Sequence, residues 1–355
     1  MASKLKTGTA LAGSGLVDAQ HLDKLRALSV TTVEELVGLI HADPDALAGF
    51  TEIHDLARLQ ADAMRRADQS VVAATSTFAQ RGRESLGALP PASVRVERTV
   101  QPATFEAYRQ SAVAVVDIAE VDGVRVDLRK LFMAVRNQGG RGTCVGHACA
   151  AVAEAVLAKA HGRRINLSPQ FVYYQSKQLD GLPNDDGTFA ATAMPTIVTA
   201  GDCAERYWPY EPDFRPADLT HGAPSAVARK DALRHVIGRA IHVDERNTAA
   251  IQSHLDEGFP VAISVPVYRN WSQNPTTSLT GMIPMPLPQS PLDGGHAMCI
   301  VGYGYDSDVA GGWYFVLRNS WGAQWASSSP IAPGHGVMPF LYIEHYAWEA
   351  WTARS

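Results

Sequence analysis

The sequence predicts an α+β protein in which a small all-α module, residues 1–70, precedes a larger mixed domain, residues 112–355. Three observations support this division. Helix start signals cluster in the first module, strand-like apolar runs and all seven tryptophans come in the second domain, and a stretch rich in Ser, Thr, Gly and Pro separates the two. We therefore interpret residues 71–111 as a connection between them.

The composition is that of an ordinary soluble globular protein. Of the 355 residues, 46% are hydrophobic and 19% are charged, which supplies enough apolar side chain for a core. The formal net charge is −5, so there is no basic surplus to neutralise a nucleic acid or an anionic membrane. We expect neither as a partner.

The four cysteines are too few for a disulfide scaffold, and no C-x-x-C pair indicates a zinc ribbon or a redox site. Glycine and serine interrupt the N-terminal segment where a signal peptide would be apolar. No run reaches the ~18 apolar residues of a membrane-spanning helix. These features predict a cytoplasmic protein in a reducing compartment, and we expect a bacterial source.

Helix start signals recur in the first module. Thr32 and Glu35, three residues apart, form a capping box ahead of apolar residues at helical spacing. Asp43 precedes a proline that would stand at the first helical position, and Thr51 begins a third predicted helix. These signals predict a small group of short helices over residues 1–70.

One phrase in this module, from Leu25 to Leu36, resembles the helix-hairpin-helix and SAM-like modules that contact DNA or protein. Ser29 stands where the hairpin would favour glycine. Residues 1–90 contain eleven Asp and Glu against nine Lys and Arg, which argues against DNA. We therefore expect a packing or protein-contact module, with a protein as its partner.

A cysteine stands at the start of the most informative helix of the second domain. Glycines crowd the residues before Cys144, and an Ala- and Val-rich helical pattern begins at it. The free N–H groups and the dipole of a helix N-terminus favour negative charge, so we expect a lowered thiol pKa and a reactive thiolate. Taken alone, Cys144 has a plainer alternative, a buried structural cysteine.

Two polar residues at the ends of later strand-like runs favour the reactive alternative. His296 begins the run that continues to Gly304, and Asn319 ends the run that starts at Trp313. A thiolate nucleophile requires an imidazole within hydrogen-bonding reach, and that imidazole requires a third group to fix its tautomer. Cys144, His296 and Asn319 supply all three.

With these residues, the second domain resembles the papain-type (family C1) cysteine peptidases over about residues 112–355. Four separated pieces occur in the order that the family has them. They are Gln138 six residues before Cys144, Leu167-Ser168-Pro169-Gln170-Phe171, Gly295-His296-Ala297 followed by Gly302-Tyr303-Gly304, and Asn319-Ser320-Trp321-Gly322.

The resemblance implies both a fold and an activity. The fold is a helical left lobe and a β-barrel right lobe with a cleft between them, and Cys144 begins the central helix. The activity is hydrolysis of peptide bonds by an endopeptidase, through a thioester on Cys144 with His296 as general acid and base. The expected substrate is a protein or peptide, and neither a metal nor another cofactor is expected.

The family also implies roles for residues around this pair. Gln138 would offer its side-chain amide N–H to the oxyanion, together with the backbone N–H of the nucleophile. Asn319 would orient the imidazole, and Trp321 would shield that hydrogen bond from water. The expected substrate-binding residues are Trp321, Gly187, which falls where the family pairs its backbone with substrate, and Gly295, which precedes the histidine.

The sequence departs from secreted members of the family beside the nucleophile. Arg141 and Val145 stand where those members have a cysteine and an aromatic residue, so the neighbouring disulfide cannot form. The histidine and the asparagine also lie farther along the chain than usual. We attribute the excess to inserted loops at residues 272–291 and 327–336.

The same residues admit other interpretations. His147 is a second candidate base, although an imidazole on the same helix as Cys144 points along that helix. Cys144, His147 and Cys149 also have the residue types of a metal cluster, but no second ligand pair stands at zinc spacing. The alternative functions are a noncatalytic binding module of this fold and a cysteine acyltransferase or deamidase.

The N-terminal extension, residues 1–111, has two candidate roles. If it is an inhibitory prosegment, the stretch from Val100 to Val116 should cover Cys144. If it is a docking module, it binds a partner and leaves the peptidase domain free. The capped acidic helices favour docking, because such a module can fold by itself.

Overall fold

The computed structural model describes residue 5 and residues 8–53, 55–78, 84–113 and 123–355. No helix in this described part is long and apolar enough to cross a membrane. Six helices of the described part precede its first strand: α1 (Ala19–Ala27), α2 (Val33–Ala42), α3 (Pro44–Thr51), α4 (Leu56–Met64), α5 (Gln69–Thr77) and α6 (Pro102–Val113).

The starts of α2 and α3 follow the predicted caps. The Thr32 hydroxyl accepts the Glu35 N–H at 3.2 Å, and the Glu35 carboxylate accepts the Thr32 N–H at 3.1 Å, so the predicted capping box is confirmed. Asp43 caps α3, with Pro44 at its first position. Each cap satisfies backbone N–H groups that have no partner inside the helix.

The predicted helix start at Thr51 is wrong. Thr51 is the last residue of α3, and its hydroxyl donates to the Leu47 carbonyl at 2.7 Å. Glu52 then adopts a left-handed conformation with φ of 64°, which ends the helix. The next helix, α4, begins only after Asp55, whose carboxylate accepts the Arg58 N–H at 2.9 Å.

The left lobe is built on α7 (Cys144–His161), which is buried from Cys144 to Ala158. Two helices, α8 (Pro169–Lys177) and α9 (Ala190–Thr199), pack against it, and α10 (Ala226–Ala232) follows in the chain. The small side chains of α7 let it also contact the sheet of the right lobe. The start of this helix therefore lies between the lobes.

The right lobe is an antiparallel sheet with four further helices, α11 (Thr248–Asp256), α12 (Arg269–Ser272), α13 (Pro275–Thr280) and α14 (Phe340–Tyr346). Its strands are β1 (Gly123–Asp127), β2 (Arg239–Val243), β3 (Val261–Tyr268), β4 (Leu292–Tyr305), β5 (Trp313–Arg318), β6 (His335–Pro339) and β7 (Glu349–Arg354).

The strand order is β2-β7-β3-β4-β5-β6, and β1 pairs with the far end of β4. The α+β papain-like fold, with helices at the N-terminus, is confirmed. One feature differs from the expectation: over the described residues the sheet is not closed into a barrel, since β2 and β6 remain at its two edges.

The N-terminal helices pack on the right lobe through the first of the two predicted insertions, residues 272–291. Helix α2 contacts α12 and α13. The Thr276 hydroxyl donates to the Glu34 carbonyl at 2.8 Å, and the Ser290 hydroxyl donates to the Asp43 carboxylate at 2.7 Å. Both hydrogen bonds are buried, so the insertion and the helices share one interior.

The chain just before α6 pairs with the other end of this insertion. Val100 donates its N–H to the Ser290 carbonyl at 3.3 Å and accepts the Gln289 N–H at 2.9 Å. The Leu292 N–H donates to the Arg98 carbonyl at 2.8 Å. Residues 98–100 are therefore held at the edge of the right lobe by backbone hydrogen bonds.

Candidate active site

Cys144 is the first residue of α7, as the sequence predicts, and it is fully buried. The turn that leads into the helix is fixed by Asp186, whose carboxylate accepts the Gly142 N–H at 2.8 Å and the Tyr173 hydroxyl at 3.2 Å. The thiol thus begins the central helix at the interface of the two lobes.

His296 and Asn319 come from adjacent strands of the right lobe. His296 lies in β4, and Asn319 directly follows β5. Nε2 of His296 is 2.7 Å from Oδ1 of Asn319, and the same Oδ1 accepts the backbone N–H of Ser320 at 2.7 Å. Because Oδ1 is an acceptor, the imidazole carries its proton on Nε2 and has a lone pair on Nδ1.

No hydrogen bond joins the side chains of Cys144 and His296. The link between them is the backbone of Ala297, the residue that follows His296. The sulfur receives the backbone N–H groups of Ala297, Gly87 and Val145. Nδ1 of His296 is buried and has no hydrogen-bond partner in the described part of the chain. Hydrogen bonds between catalytic groups are often long in a resting enzyme and tighten when substrate binds.

Aromatic rings enclose the imidazole. Trp321 stacks on His296 with ring centroids 4.2 Å apart and an interplanar angle of 22°, and Trp271 lies at its edge at 6.3 Å. The indole of Trp321 is 4% exposed. It therefore stands where it can keep water away from the bond between His296 and Asn319.

Gln138 is brought to the same place from the left lobe. Its backbone N–H donates to the Ser320 carbonyl at 2.7 Å, and its Oε1 accepts the Ser320 hydroxyl at 2.6 Å. The other end of the amide faces two carbonyl oxygens, which can only accept, so that end is the nitrogen, Nε2. Nε2 donates to the Arg141 carbonyl at 2.8 Å and to the Ser85 carbonyl at 3.0 Å.

Ser85 belongs to a part of the predicted linker that runs between the lobes; we call residues 84–89 the cleft segment. The Ser85 carbonyl accepts hydrogen bonds from Gln138 Nε2 and, at 3.3 Å, from Trp321 Nε1. The cleft segment therefore occupies the donor that was predicted to bind the oxyanion.

Further along, the cleft segment pairs with both walls. The N–H groups of Gly87 and Ala88 each lie 3.0 Å from the Gly295 carbonyl on the right lobe. On the left lobe, Thr188 donates its N–H to the Gly87 carbonyl at 3.0 Å and accepts the Leu89 N–H at 3.1 Å. The bridge between Ala88 and Thr188 is parallel.

Two glycines permit this close approach. A Cβ on Gly87 would overlap the carbonyl group of Gly142, two residues before the nucleophile. Gly187 has φ of 132°, and a Cβ there would lie 2.6 Å from the Gly87 carbonyl oxygen. Gly187 thus lies against the cleft segment, and Thr188 makes the backbone hydrogen bonds to it; the pairing of Gly187 with substrate stays a prediction.

The stretch from Val100 to Val116, which was expected to cover Cys144 if the extension is inhibitory, does not do so over its described residues, whose helix α6 packs on α14 and α1. Val100 pairs with the insertion at Ser290, and residues 114–122 lie outside the described residues. The residues that reach the nucleophile are in the cleft segment. These residues make their contacts through backbone groups, and such contacts cannot be predicted from the types of the side chains.

Burial dominates the titration of the predicted catalytic pair. It raises the pKa of the Cys144 thiol to about 11, although the N–H groups around the sulfur act in the opposite direction. It lowers the pKa of His296 to about 4, despite the hydrogen bond to Asn319. Under the cleft segment the pair is a neutral thiol and a neutral imidazole at pH 7, and the thiolate expected from the sequence is wrong for this state.

The structure does not support the alternative roles considered for the residues near Cys144, a second general base and a metal cluster. His147 directs Nδ1 at the Thr143 carbonyl of its own helix turn, 3.0 Å away. Over the described residues, no group of three His, Cys, Asp or Glu side chains is arranged to hold a metal. Cys149 is buried in α7 as a free thiol.

Arg141, which replaces the usual cysteine, has a structural role. It is 1% exposed and donates to the Gln170 amide oxygen at 2.6 Å and to the carbonyls of Glu211 and Leu219 at 2.8 and 2.9 Å. The guanidinium therefore fastens the loop over residues 211–219 beside the nucleophile.

Comparisons with known proteins agree with this arrangement. The profile of the papain family of cysteine proteases matches residues 123–332. An uncharacterized peptidase C1-like protein of Acanthamoeba polyphaga mimivirus is 30% identical over 248 residues, which are 66% of this chain and 75% of that protein. A viral cathepsin of Epiphyas postvittana nucleopolyhedrovirus is 30% identical over 198 residues, 54% of this chain and 52% of the cathepsin.

A solved structure is similar over a larger share of the chain. Xylellain, a cysteine protease from Xylella fastidiosa, superposes with a TM-score of 0.58 and 25% identity and covers 78% of this chain and 98% of its own. The fold is that of the papain-like cysteine peptidases. With more than half of its length matched by the family profile, the chain belongs to the papain family of cysteine proteases.

Proposed function

We propose that the chain is a cysteine endopeptidase that acts on proteins or peptides through a thioester on Cys144, and that its own cleft segment keeps it latent. One observation carries the proposal. The imidazole of His296 is held by Asn319 through Nε2 and its Nδ1 lone pair has no partner in the described part of the chain, while the N–H of the adjacent Ala297 donates to the buried sulfur of Cys144.

In the proposed reaction, Nδ1 of His296 takes the proton of Cys144 as the sulfur attacks the carbonyl carbon of the scissile bond. The developing oxyanion accepts hydrogen bonds from Gln138 Nε2 and the Cys144 N–H. The C–N bond then breaks, and the imidazolium gives its proton to the leaving amine. Water hydrolyses the thioester with His296 again as base, which returns the thiol.

The contacts of the cleft segment support inhibition over turnover. Its Ser85 carbonyl occupies the Gln138 donor, and the backbone N–H of Gly87 acts on the sulfur of Cys144. The segment therefore occupies the oxyanion donor and the backbone groups of both cleft walls, which favours the inhibitory role of the extension over docking.

We also propose a reducing, cytoplasmic location. All four cysteines are buried and unpaired, which supports the expectation drawn from their small number. A protein partner of the N-terminal helices and a bacterial source remain predictions.

Thiol labelling tests the proposal. With a peptidyl epoxide and peptide mapping, we expect Cys144 to react before Cys149, Cys203 and Cys299, because burial raises the pKa values of those three thiols further. In the full-length chain the rate should be low at pH 7 and rise with pH toward the Cys144 pKa of about 11. Earlier labelling of any other cysteine contradicts the assignment.

The Gln138 role can be tested in the Gly87→Val background, where a side chain at residue 87 has no room in the closed cleft. We expect Gln138→Ala to lower kcat by about 10²–10³ with little change in KM, since the lost donor acts on the oxyanion. Gln178→Ala, exposed just after α8, is the control. Unchanged turnover in Gln138→Ala rules out the oxyanion role.

His296 and Asn319 should differ in effect in the same background. We expect Asn319→Ala to lose less kcat than His296→Ala, because the amide orients the imidazole whereas the imidazole transfers the proton. Steady-state kinetics of the two variants check this order. Equal losses contradict the division of roles.

A further inference from the structure

A small cavity borders Asn319 between α7 and the sheet. It is lined by His147, Asn319, Arg136, Arg318, Ser320 and Met298 together with small side chains of α7. Its free volume is about 10 Å³, which is room for about one water molecule. Nothing in the proposed reaction uses this cavity.

Two of its lining residues each have a buried polar atom without a hydrogen-bond partner in the described part of the chain, Nε2 of His147 and Nδ2 of Asn319. Nδ1 of His147 lies 3.0 Å from the Thr143 carbonyl, which can only accept, so Nδ1 carries the proton and Nε2 has the lone pair. Nδ2 of Asn319 is a donor. One atom requires a donor and the other an acceptor.

The surroundings keep His147 in this form. Burial first, and then the positive charges of Arg136, Arg141 and Arg318, lower the pKa of His147 to about 3. The ring is therefore neutral at pH 7, and its Nε2 remains an acceptor. A protonated ring would present a second donor to Asn319 and could not take part in the same arrangement.

We propose that His147 is a positioning residue that holds the Asn319 amide through one internal water bound in this cavity. The water accepts the Nδ2–H of Asn319 and donates to Nε2 of His147. The amide is then fixed at both ends, Oδ1 on His296 and Ser320 and Nδ2 on the water. This role rests on the proposed function, because a fixed amide matters only if His296 transfers protons.

Substitution of His147 by Asn or by Gln distinguishes the roles of the two imidazole nitrogens, Nδ1 and Nε2. Gln places its terminal oxygen near the position of Nε2, whereas Asn reaches only the position of Nδ1. His147→Gln therefore keeps an acceptor for the water, and His147→Asn keeps only the contact with Thr143. The two variants differ by one methylene and form a matched pair.

In the full-length Gly87→Val chain, we expect His147→Asn to lower kcat about tenfold at unchanged KM, and His147→Gln to remain within about twofold of the parent. In an Asn319→Ala background, His147→Asn should cause no further loss, because the amide that it positions is gone. Equal kcat for the two His147 variants, or a loss that persists without the Asn319 amide, overturns the proposal. Thermal melting of each variant separates misfolding from mispositioning.

Two measurements that do not depend on enzyme activity distinguish this inference from the proposed function. In the unmodified full-length chain, ¹⁵N NMR of the imidazoles should show His147 as the neutral Nδ1–H tautomer, and a high-resolution crystal structure should show a water between Nε2 and Nδ2. The Nε2–H tautomer, or a dry cavity, overturns the proposal. If both readouts agree but no variant hydrolyses peptide, the proposed function fails and the water site stands, without the positioning role.

Discussion

Replacing Cys144 with alanine in the Gly87→Val background should lower kcat/KM on a fluorogenic peptide amide by about 10⁴-fold or more. The thioester cannot form without the sulfur, and what remains is the binding and oxyanion stabilisation that the rest of the site provides. The loss should fall on kcat, since the walls of the cleft that bind substrate are unchanged.

Cys149→Ala is the matched control, because Cys149 is a buried free thiol in the same helix. We expect its kcat/KM to stay within about threefold of the parent. Active-site titration with the peptidyl epoxide should fall to zero only in Cys144→Ala. A Cys144→Ala chain that still turns over peptide shows that another group is the nucleophile.

Gly87→Val should raise kcat/KM of the full-length chain by about 10³-fold. A Cβ at this position overlaps the Gly142 carbonyl, which is backbone and has little freedom to yield. Overpacking usually costs about 1–3 kcal/mol and occasionally more; because the overlap here is with backbone, we expect about 4 kcal/mol, and each 1.4 kcal/mol is about tenfold in the closed-to-open equilibrium. The hydrolysis rate of a small fluorogenic peptide amide measures the open fraction.

Ala92→Val, in the exposed turn just beyond the cleft segment, tests for a nonspecific effect of valine in the linker. It should leave the chain latent. Leu86→Asp provides a second route to opening, since Leu86 is only half-buried against Gly294 and its replacement spares the turn before the nucleophile. If both Gly87→Val and Leu86→Asp fold yet stay as inactive as Ala92→Val, the cleft segment is not what restrains the enzyme.

Features that depend on residues close together in the chain could be predicted from the sequence. The capping box of Thr32 and Glu35 and the start of α7 at Cys144 each need only a few neighbouring residues. The pairing of His296 with Asn319 was implied by the family resemblance, and the structure joins the two side chains. These parts of the fold can be predicted because they depend on which side chains are present.

The cleft segment could not be predicted in this way. It binds Gln138, Gly295 and Thr188 through backbone groups that every residue has, and its partners lie far along the chain. A run of small residues, Gly87 and Ala88, between leucines was its only trace. The water-sized cavity at His147 is hidden for the same reason, because a cavity is a property of several packed elements.

The expected thiolate shows how one local rule can be outweighed. A charge at a helix N-terminus is worth about 0.3–1 kcal/mol when exposed, whereas full burial can move a pKa by 3–5 units, each worth 1.36 kcal/mol. Cys144 has both influences and is fully buried beneath the cleft segment. Burial wins, and it can be judged only once the chain that covers the thiol is known.

The cleft segment is anchored on both sides, by the packing of α5 on α13 before it and by the pairing of residues 98–100 with the insertion after it. The occupancy of the cleft by this segment then depends on the effective concentration of the tethered segment, which for a short tether is in the millimolar range. One proteolytic cut on either side leaves it tethered to the other anchor, so its local concentration falls little. Two cuts turn it into a free peptide that dilutes away, while α1–α5 stay on the right lobe. Maturation by this route gives an enzyme of two associated chains that keeps its N-terminal helices.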